Sequence, residues 1–277
     1  MKKLTVKDIR NMKGGDEKIS MLTAYDAPMA SLLDSQGVHT LLVGDSLGMV
    51  ILGYDSTVPV TMEQMLHHAG AVSRGTQHAV VVGDMPFGSY QVSIEDTVKN
   101  GIRFLKEAGC DCVKLEGGAE VCDHVQALVR AGVPVIGHLG LTPQTAGQLG
   151  GFKVQGKDMD AARKLLADAR ALEQAGAFAT VLECVPGPLA KVVSRGINIP
   201  TIGIGAGAGC DGQVLVTNDM LGLFERFTPG FVKKYLNLAP EIKEAVHSFI
   251  KEINTQEFPA EEHTFASKED FSSLLDE

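Results

Sequence analysis

Short apolar runs alternate with amphipathic segments along the chain, and a glycine usually stands between the two. At five places an amphipathic segment typical of a helix ends at a glycine, and a run rich in Val, Ile and Leu follows within a few residues. Glycine just past a helix readily takes the left-handed conformation that ends it. The runs lack polar alternation, which is typical of strands buried on both faces of a parallel sheet. The glycines are Gly37, Gly109, Gly132, Gly176 and Gly196.

These runs predict seven β-strands and a weaker eighth. Alternating strands and helices indicate parallel β/α units, and eight units in about 250 residues have the size of a closed (β/α)8 barrel of the TIM type. An open doubly wound sheet is the competing α/β architecture, but no G-x-G-x-x-G turn follows the first strand. The predicted strands are Ile19–Ala24, Thr40–Gly44, Ala79–Gly83, Cys112–Leu115, Val133–Gly137, Ala179–Leu182, Pro200–Ile204 and, more weakly, Gln213–Val216.

Capping residues and the C-terminal section set the remaining boundaries. Short polar side chains that accept hydrogen bonds from a first helical turn stand before three amphipathic segments. Residues Phe231–Ile253 predict one or two further helices. We therefore expect a single barrel domain over residues 1–254 and an acidic tail over residues 255–277, either loosely held or docked on a neighbouring subunit. The predicted caps are Asp26, Ser93 and either Asp158 or Asp160.

Composition narrows the function classes. The formal net charge is −9, whereas nucleic-acid binding needs clustered Lys and Arg. This charge gives no attraction to anionic lipid, and no apolar run reaches the roughly 20 residues of a membrane helix. The five cysteines show neither zinc nor C-x-x-C spacing, and no apolar signal segment follows the N-terminal lysines. We expect a soluble cytoplasmic protein with free thiols that binds neither nucleic acid nor membrane.

Polar residues close five successive predicted strands, and four of them are acidic. In a parallel barrel these strand ends converge on one face, where barrel enzymes place their chemistry. One acidic residue after a strand commonly begins a turn or caps a helix. Four carboxylates at one mouth, however, repel one another unless a cation or a proton compensates. Oxygen donors without a His–Cys cluster favour Mg²⁺. The residues are Asp45, Asp84, Glu116, His138 and Glu183.

Three neighbouring residues are open to more than one interpretation. Lys114 stands two positions before Glu116, so on a strand both side chains point to one face. A buried lysine beside acids is more often an ion-pair partner than a Schiff-base nucleophile, and it could also orient a substrate carboxylate. His138 is either a hydrogen-bonded core residue or a substrate contact. Cys184 lacks the surroundings of an activated thiol and is expected to be a small core residue.

A series of motifs surrounds these residues in a fixed order. They are Gly44–Met49, Gly53–Thr57, Pro59–Thr61, Gly83–Tyr90, Val113–Gly118, Gly137–Gln144, Leu182–Pro186, Ile202–Gly207, Asp211–Val216 and Asp219–Gly222. Through them, from about Leu4 to Val246, the chain resembles the ketopantoate hydroxymethyltransferase family, also called 3-methyl-2-oxobutanoate hydroxymethyltransferase. Several long motifs in order are far more specific than one short signature.

The resemblance implies a role for each residue. Three acidic residues match the family's Mg²⁺ ligands, namely Asp45, Asp84 and Glu116. Residues that match its keto-acid contacts are Asp45, Ser46, Asp84, Lys114 and His138. Glu183 matches the general base. The implied reaction transfers a hydroxymethyl group from 5,10-methylenetetrahydrofolate to 3-methyl-2-oxobutanoate, giving ketopantoate (2-dehydropantoate) for pantothenate and coenzyme A synthesis. The implied assembly is a homo-oligomer, commonly a homodecamer.

The chemistry of such a reaction calls for these residue types. Mg²⁺ bound to the keto acid would stabilise the enolate formed when C3 loses its proton. Glu183 lies on a different strand from the three implied ligands, so it suits a base that is not tied up by the metal. We hypothesise that the loops Gly48–Thr61 and Gly140–Phe152, which follow two of these strands, shape the folate cleft.

Two rival functions and two further motifs complete the sequence picture. A lyase or phosphonomutase of the isocitrate-lyase type would carry a Lys-Lys-Cys-Gly-His loop, which the sequence lacks. A non-catalytic barrel would have no use for a free carboxylate beside a metal site. Gly203–Gly209 stands where many barrels bind phosphate, although close backbone packing explains it more simply. His67 and His68 point about 100° apart on a helix, so a packed or solvated face is expected rather than a metal pair.

Overall fold

The computed structural model describes residues 2–147, 150–151 and 153–275, and over these residues eight parallel strands close into a barrel. Each strand pairs with the next along the chain, and the last pairs with the first. The predicted (β/α)8 architecture is therefore confirmed, and the open-sheet alternative is wrong. The strands are β1 (Ile19–Thr23), β2 (Thr40–Val43), β3 (Val80–Asp84), β4 (Cys112–Glu116), β5 (Val135–Gly140), β6 (Ala179–Glu183), β7 (Thr201–Ile204) and β8 (Gly212–Leu215).

Helices alternate with the strands and cover the outside of the barrel. No helix in the described part of the chain is long and apolar enough to cross a membrane. Residues 256–275, beyond the last helix, form mostly exposed turns. The helices are α1 (Val6–Asn11), α2 (Ala27–Ser35), α3 (Leu47–Val50), α4 (Met62–Gly75), α5 (Ile94–Lys106), α6 (Cys122–Arg130), α7 (Met159–Ala175), α8 (Gly187–Gly196), α9 (Thr217–Met220) and α10 (Leu238–Thr255).

Side chains alternate between two layers along each strand, as expected for a period of two. One set packs together inside the barrel, including Met21, Leu42, Val80, Val82, Cys112, Ile136, Ala179, Val181, Ile202 and Val214. The other set packs between the sheet and the helices, including Leu41, Val43, Val81, Val113, Leu115, Val135 and Leu182. A polar residue placed two positions after an inward apolar residue therefore also points into the barrel.

The predicted helix signals are mostly confirmed. Gly37, Gly109, Gly132 and Gly176 have φ of 79°, 73°, 86° and 103°, in the left-handed region. Gly196 differs, because it is the last residue of α8 and packs against α7, where a Cβ would lie 2.8 Å from Leu166 Cδ1. Of the two possible caps of α7, Asp158 is the one observed. The observed caps of α2, α5 and α7 are Asp26, Ser93 and Asp158.

Predicted boundaries of two elements are wrong for local reasons, and β5 also extends to Gly140 rather than ending at Gly137. β5 begins at Val135 because Val133 N–H donates to Leu128 O at the end of α6, and Pro134 has no N–H to give to a ladder. The C-terminal helix begins at Leu238 rather than Phe231. The preceding residues form a loop that is tied back to α9, with Tyr235 N–H donating to Met220 O at 2.8 Å.

Candidate active site

The predicted site residues stand at the C-terminal ends of β2 to β6. Asp84 lies two positions beyond the inward Val82, and the same spacing carries the inward rows of β4, β5 and β6 to their polar ends. Asp45 differs, because it follows the end of β2 and stands one position off the row of Leu42. The parallel register places Asp84 beside Lys114 and Glu116 beside His138. Strand alternation and register therefore bring together residues that are distant in sequence. Those that are at most 5% exposed are Asp45, Asp84, Lys114, Glu116 and His138.

Lys114 lies at the centre of this cluster. Its Nζ is 2.8 Å from Asp84 Oδ1, 3.9 Å from Glu116 Oε1 and 3.2 Å from His138 Nδ1. Burial lowers the pKa of Lys114, but Asp84, Glu116 and Asp45 raise it further, so the net direction is upward. The side chain is thus a buried cation, as expected for an ion-pair partner and not for a neutral amine nucleophile.

His138 connects Glu116 to Glu183. Its Nδ1 lies 3.4 Å from Glu116 Oε1, and its Nε2 lies 3.2 Å from Glu183 Oε2. Burial and the charge of Lys114 lower the pKa of His138, but the two glutamates outweigh them and raise it to about 9. The two glutamates therefore favour the cationic form of the ring, and Nε2 faces Glu183 at the edge of the cluster.

Asp45 is held by a residue that the sequence did not single out. Gln144 Nε2 donates to Asp45 Oδ2 and to Met85 O, each at 2.9 Å. Its backbone N–H donates to Glu116 Oε2 at 3.1 Å, and its Oε1 accepts from Tyr90 OH at 2.7 Å. Gln144 is 4% exposed, so these bonds lie away from solvent. One glutamine thus orients two of the acidic side chains.

The net pKa shifts of the buried carboxyl groups differ in direction. Burial, together with the charges of Asp84 and Glu116, raises the pKa of Asp45 well above its usual range. Burial also raises the pKa of Asp84, where Lys114 opposes it. Burial alone would raise the pKa of Glu116 too, but His138 and Lys114 lower it below its usual range. Of the three acidic groups, burial and the like charges around it therefore oppose ionisation most at Asp45.

The donor set suits a divalent cation by charge. Four carboxyl groups face one lysine and one histidine, so with all four ionised two negative charges are left even when both bases are cationic. Asp84 Oδ1 is buried and accepts no hydrogen bond from the described residues, its contact with Lys114 being an ion pair. No group of three or more His, Cys, Asp or Glu side chains within those residues is arranged as a ready metal site. Asp45, Asp84 and Glu116 therefore fit Mg²⁺ in charge and donor type without forming a finished coordination shell.

Glu183 and Ser46 face the open side of the cluster. The Glu183 side chain is 15% exposed, against 2% for Glu116, so a substrate can reach its carboxylate. Ser46 precedes α3, and its Oγ lies 2.8 Å from Tyr25 OH. Both residues line a cavity of about 590 Å³ above the strand ends. The cavity unites all the predicted site residues: Asp45, Ser46, Asp84, Lys114, Glu116, His138 and Glu183.

Loops after the strands form the rest of the cavity wall. The two loops proposed for the folate cleft contribute residues, although Gln148, Leu149 and Phe152 of the second loop lie outside the described residues. A third segment, which the sequence did not indicate, follows α9 and adds an apolar face. The lining residues of the three segments are, in order, Met49, Val50 and Thr57; Leu141 and Pro143; Phe224, Phe227, Pro229, Gly230, Phe231 and Val232.

The remaining candidate motifs take structural roles. His68 Nδ1 lies 2.7 Å from Tyr25 O, and the His67 ring stands edge-on to it, so they form no metal pair. Cys184 lines the cavity, but burial and the charge of Glu183 raise its thiol pKa to about 11, which excludes an activated thiolate. Within the Gly203–Gly209 stretch, a Cβ on Gly209 would lie 2.7 Å from Lys191 Cβ, as expected for close packing.

Comparison with known proteins identifies the family. The model of the family described as ketopantoate hydroxymethyltransferase matches residues 3–261. A 3-methyl-2-oxobutanoate hydroxymethyltransferase of Desulfotalea psychrophila is 64% identical over 271 residues, which covers 98% of this chain and 97% of that protein. The protein of the same name from Syntrophus aciditrophicus is 61% identical over 264 residues, covering 95% and 97%.

Solved structures with similar folds are much more distant in sequence. A phosphoenolpyruvate phosphomutase from Streptomyces platensis subsp. rosaceus superposes with a TM-score of 0.62 at 15% identity, covering 99% of this chain and 94% of its own. A phosphonopyruvate hydrolase gives 0.61 at 13% identity, covering 100% and 95%. At such identities these likenesses concern the barrel architecture alone.

Proposed function

The chain belongs to the ketopantoate hydroxymethyltransferase family and is a hydroxymethyltransferase, and from this premise we propose its substrates and mechanism. The proposed reaction joins 3-methyl-2-oxobutanoate to the one-carbon unit of 5,10-methylenetetrahydrofolate, giving ketopantoate. The observation that carries this proposal is the group of four carboxylates that line the cavity with Lys114 and His138, among which the side chain of Glu183 is 15% exposed and those of Asp84 and Glu116 only 2%.

The keto acid binds through its negative charge. Lys114 is a buried cation beside the cavity, so it attracts the substrate carboxylate and orients the ketone towards Asp45 and Asp84. Ser46, on the rim of the same pocket, offers a hydroxyl to the substrate. A charged donor in a water-poor pocket fixes an anion far better than it would in solvent.

Glu183 then removes the proton from C3. Its carboxylate is accessible from the cavity, and His138 Nε2 holds Oε2 at 3.2 Å. A positioned base of this kind contributes roughly 10²–10⁴-fold to a proton transfer. The electron pair of the broken C3–H bond moves into the ketone to form an enolate.

Mg²⁺ would be held by Asp45 and Asp84, with Glu116 as the third acidic residue. When bound, it supplies Lewis-acid stabilisation of the negative charge that develops on the keto acid. The excess of carboxylates over basic groups and their oxygen-only donor set support this assignment. Gln144 keeps Asp45 pointed into the cluster in the meantime.

The one-carbon transfer balances with one water molecule. C3 of the keto acid bonds to the methylene carbon, which loses both of its bonds to folate nitrogen and keeps the water oxygen as its hydroxyl group. Tetrahydrofolate leaves with one proton of the water and the proton of C3 on its two nitrogens, and the second water proton stays on the new hydroxyl group. The loop residues Met49, Val50 and Leu141 close the cavity around these reactants and keep bulk water away.

Exchange of the C3 proton tests the assignment without the folate. We expect the protein, Mg²⁺ and 3-methyl-2-oxobutanoate in D₂O to exchange this proton, as followed by NMR. Glu183→Gln should slow the exchange by about 10²–10⁴-fold while keto-acid binding persists, because only the base is lost. Glu107→Gln, which alters an exposed glutamate paired with Arg103, is the matched control.

The outcomes separate the rival functions. A non-catalytic barrel predicts no exchange with either protein, and a different base predicts that Glu183→Gln exchanges at the wild-type rate. A lyase or phosphonomutase predicts turnover of its own substrates without folate. Folate-dependent formation of ketopantoate, lost on chelation of the metal and restored by Mg²⁺, is the result that the proposal requires.

We further propose that copies of the chain associate through α10. This helix carries an apolar stripe in which each side chain is 46–53% exposed. A contiguous row of exposed apolar side chains marks a surface that binds a partner. Its spacing follows the period of one helical face. The stripe comprises Ile242, Val246, Phe249, Ile250 and Ile253.

A further inference from the structure

A second acidic group lies in the cavity wall, apart from the cluster around Lys114. Asp219 belongs to α9, after β8, and lines the cavity although it is only 6% exposed. Its Oδ1 is buried and has no hydrogen-bond partner among the residues that the structure describes. A buried carboxylate oxygen without a donor is costly. In the wall of a ligand pocket, such an atom indicates that the ligand brings the donor.

The segment that follows Asp219 adds an apolar wall to the same cavity. The segment after α9 is hydrogen-bonded to that helix, with Leu223 N–H donating to Asn218 O at 2.8 Å. It carries Phe224, Phe227 and Phe231 into the cavity lining. Phe231 is fixed against Gly205, where a Cβ would lie 2.7 Å from the ring. An isolated acceptor beside aromatic rings suits a planar heterocycle that has N–H groups on one edge.

Of the two proposed substrates, only the folate has such an edge. The keto acid is an anion with acceptors alone, so the Asp219 carboxylate would repel it. The pterin ring of a reduced folate carries an exocyclic 2-amino group next to N3–H, and these two donors match the two oxygens of one carboxylate. Burial raises the pKa of Asp219 to about 6 against the opposing charge of Lys234, so at pH 8 the group is ionised and acts as an acceptor.

We propose that Asp219 binds the 2-amino and N3–H edge of the pterin, in a slot lined by Phe224, Phe227 and Phe231. This inference rests on the proposed folate-dependent function and names the residue that selects the folate. The pterin then lies on the β8 side of the cavity, and the keto acid lies on the β3–β4 side beside Lys114.

Binding of two ligands to two proteins tests the contact. Equilibrium dialysis at pH 8 would compare tetrahydrofolate with its 2-desamino analogue, using the wild type and Asp219→Asn. A site built to accept these donors should prefer tetrahydrofolate by roughly 10- to 100-fold, since the analogue leaves the carboxylate unpaired. Asp219→Asn should bind tetrahydrofolate more weakly by a similar factor and show less than about threefold preference. Asp168→Asn, a change at an equally buried aspartate outside the cavity, should keep wild-type affinity.

The proton-exchange assay distinguishes this inference from the proposed function. Asp219→Asn should still exchange the C3 proton of the keto acid, because that step uses Lys114 and Glu183. If wild type exchanges and binds tetrahydrofolate but does not discriminate against the analogue, the inference is overturned and the function stands. Wild-type affinity in Asp219→Asn, or an equal loss in Asp168→Asn, overturns it as well. A wild type that neither exchanges nor binds folate refutes both.

Discussion

Replacing Gln144 by methionine tests whether the cluster depends on residues that never touch the substrate. The two side chains have similar length and volume, so the change removes hydrogen bonds with little loss of packing. Gln144→Met takes away the donor to Asp45 Oδ2 and to Met85 O, and the acceptor of Tyr90 OH. Its backbone bond to Glu116 stays, so the variant isolates the effect on Asp45.

The size of the effect follows from the bond to Asp45. A hydrogen bond to a charged group contributes about 1.5–3 kcal/mol, which corresponds to roughly 10- to 150-fold in an equilibrium constant. Loss of a residue that orients a metal ligand typically weakens metal binding by roughly 10–100-fold, which is the same range. We expect the apparent Mg²⁺ affinity to fall by such a factor, because Asp45 is then free to rotate and to keep its proton. Met85 O loses its donor as well, at a cost of about 1–3 kcal/mol in folding free energy.

The assay is the dependence of C3-proton exchange on Mg²⁺ concentration, after the metal has been removed by a chelator. Thermal unfolding checks that the variant is folded at the assay temperature. Gln213→Ala removes a different glutamine bond, from Nε2 to Gly207 O at 2.9 Å, and should leave the Mg²⁺ dependence unchanged. Should a folded Gln144→Met protein require the same Mg²⁺ concentration as wild type within about twofold, Gln144 does not orient a metal ligand and the reasoning is refuted.

Two further predictions concern stability and assembly. Burial raises the pKa of Asp34, but N–H groups of residues 77–79 lower it more, so Asp34→Asn should cost about 1–3 kcal/mol at pH 7. Because the folded pKa is depressed, this contribution is present above the unfolded value of about 3.9 and is lost as pH falls through the folded pKa. In denaturant melts, the difference in unfolding free energy between wild type and Asp34→Asn should therefore be smaller at pH 3 than at pH 7. An equal difference at both pH values contradicts the idea. Replacing Phe249 and Ile253 together by serine should lower the oligomer mass measured by light scattering, since each large side chain buried in a contact contributes roughly 1.5–3 kcal/mol. Lys251→Gln on the same helix is the control, and an unchanged mass in the double variant contradicts the proposed contact.

Much of the fold could be predicted because strand and helix signals are local. A buried parallel strand is a short apolar run, and a left-handed glycine ends the preceding helix, so both are legible without any knowledge of contacts. Gly196 shows the limit, since its place inside α8 depends on Leu166 of a neighbouring helix. The start of α10 shows it again, because the loop before it is held by bonds to α9.

The central site could be predicted for the same reason that the barrel could. Asp84, Lys114, Glu116, His138 and Glu183 belong to strands, and the period of two fixes the direction of their side chains. Closure of the barrel then brings these side chains together at its C-terminal end. The distances could not be predicted, in particular the position of Lys114 between two carboxylates.

Gln144 and Asp219 escaped prediction because they lie on loops and short helices, where no period fixes direction. Both stand after a strand on the mouth side of the barrel, which is the one signal that could have raised them as candidates. Gln144 is fully bonded and serves to orient other residues, whereas Asp219 Oδ1 lacks a partner among the described residues. The buried Asp219 carboxylate therefore lowers the unfolding free energy of the ligand-free protein, and a bound pterin would remove this destabilisation by donating hydrogen bonds. Stability and function oppose each other at such a site. Asp219→Asn should then unfold at a temperature no lower than wild type while binding folate more weakly, and a calorimetric scan that showed a marked loss of stability would mean that the carboxylate serves the fold.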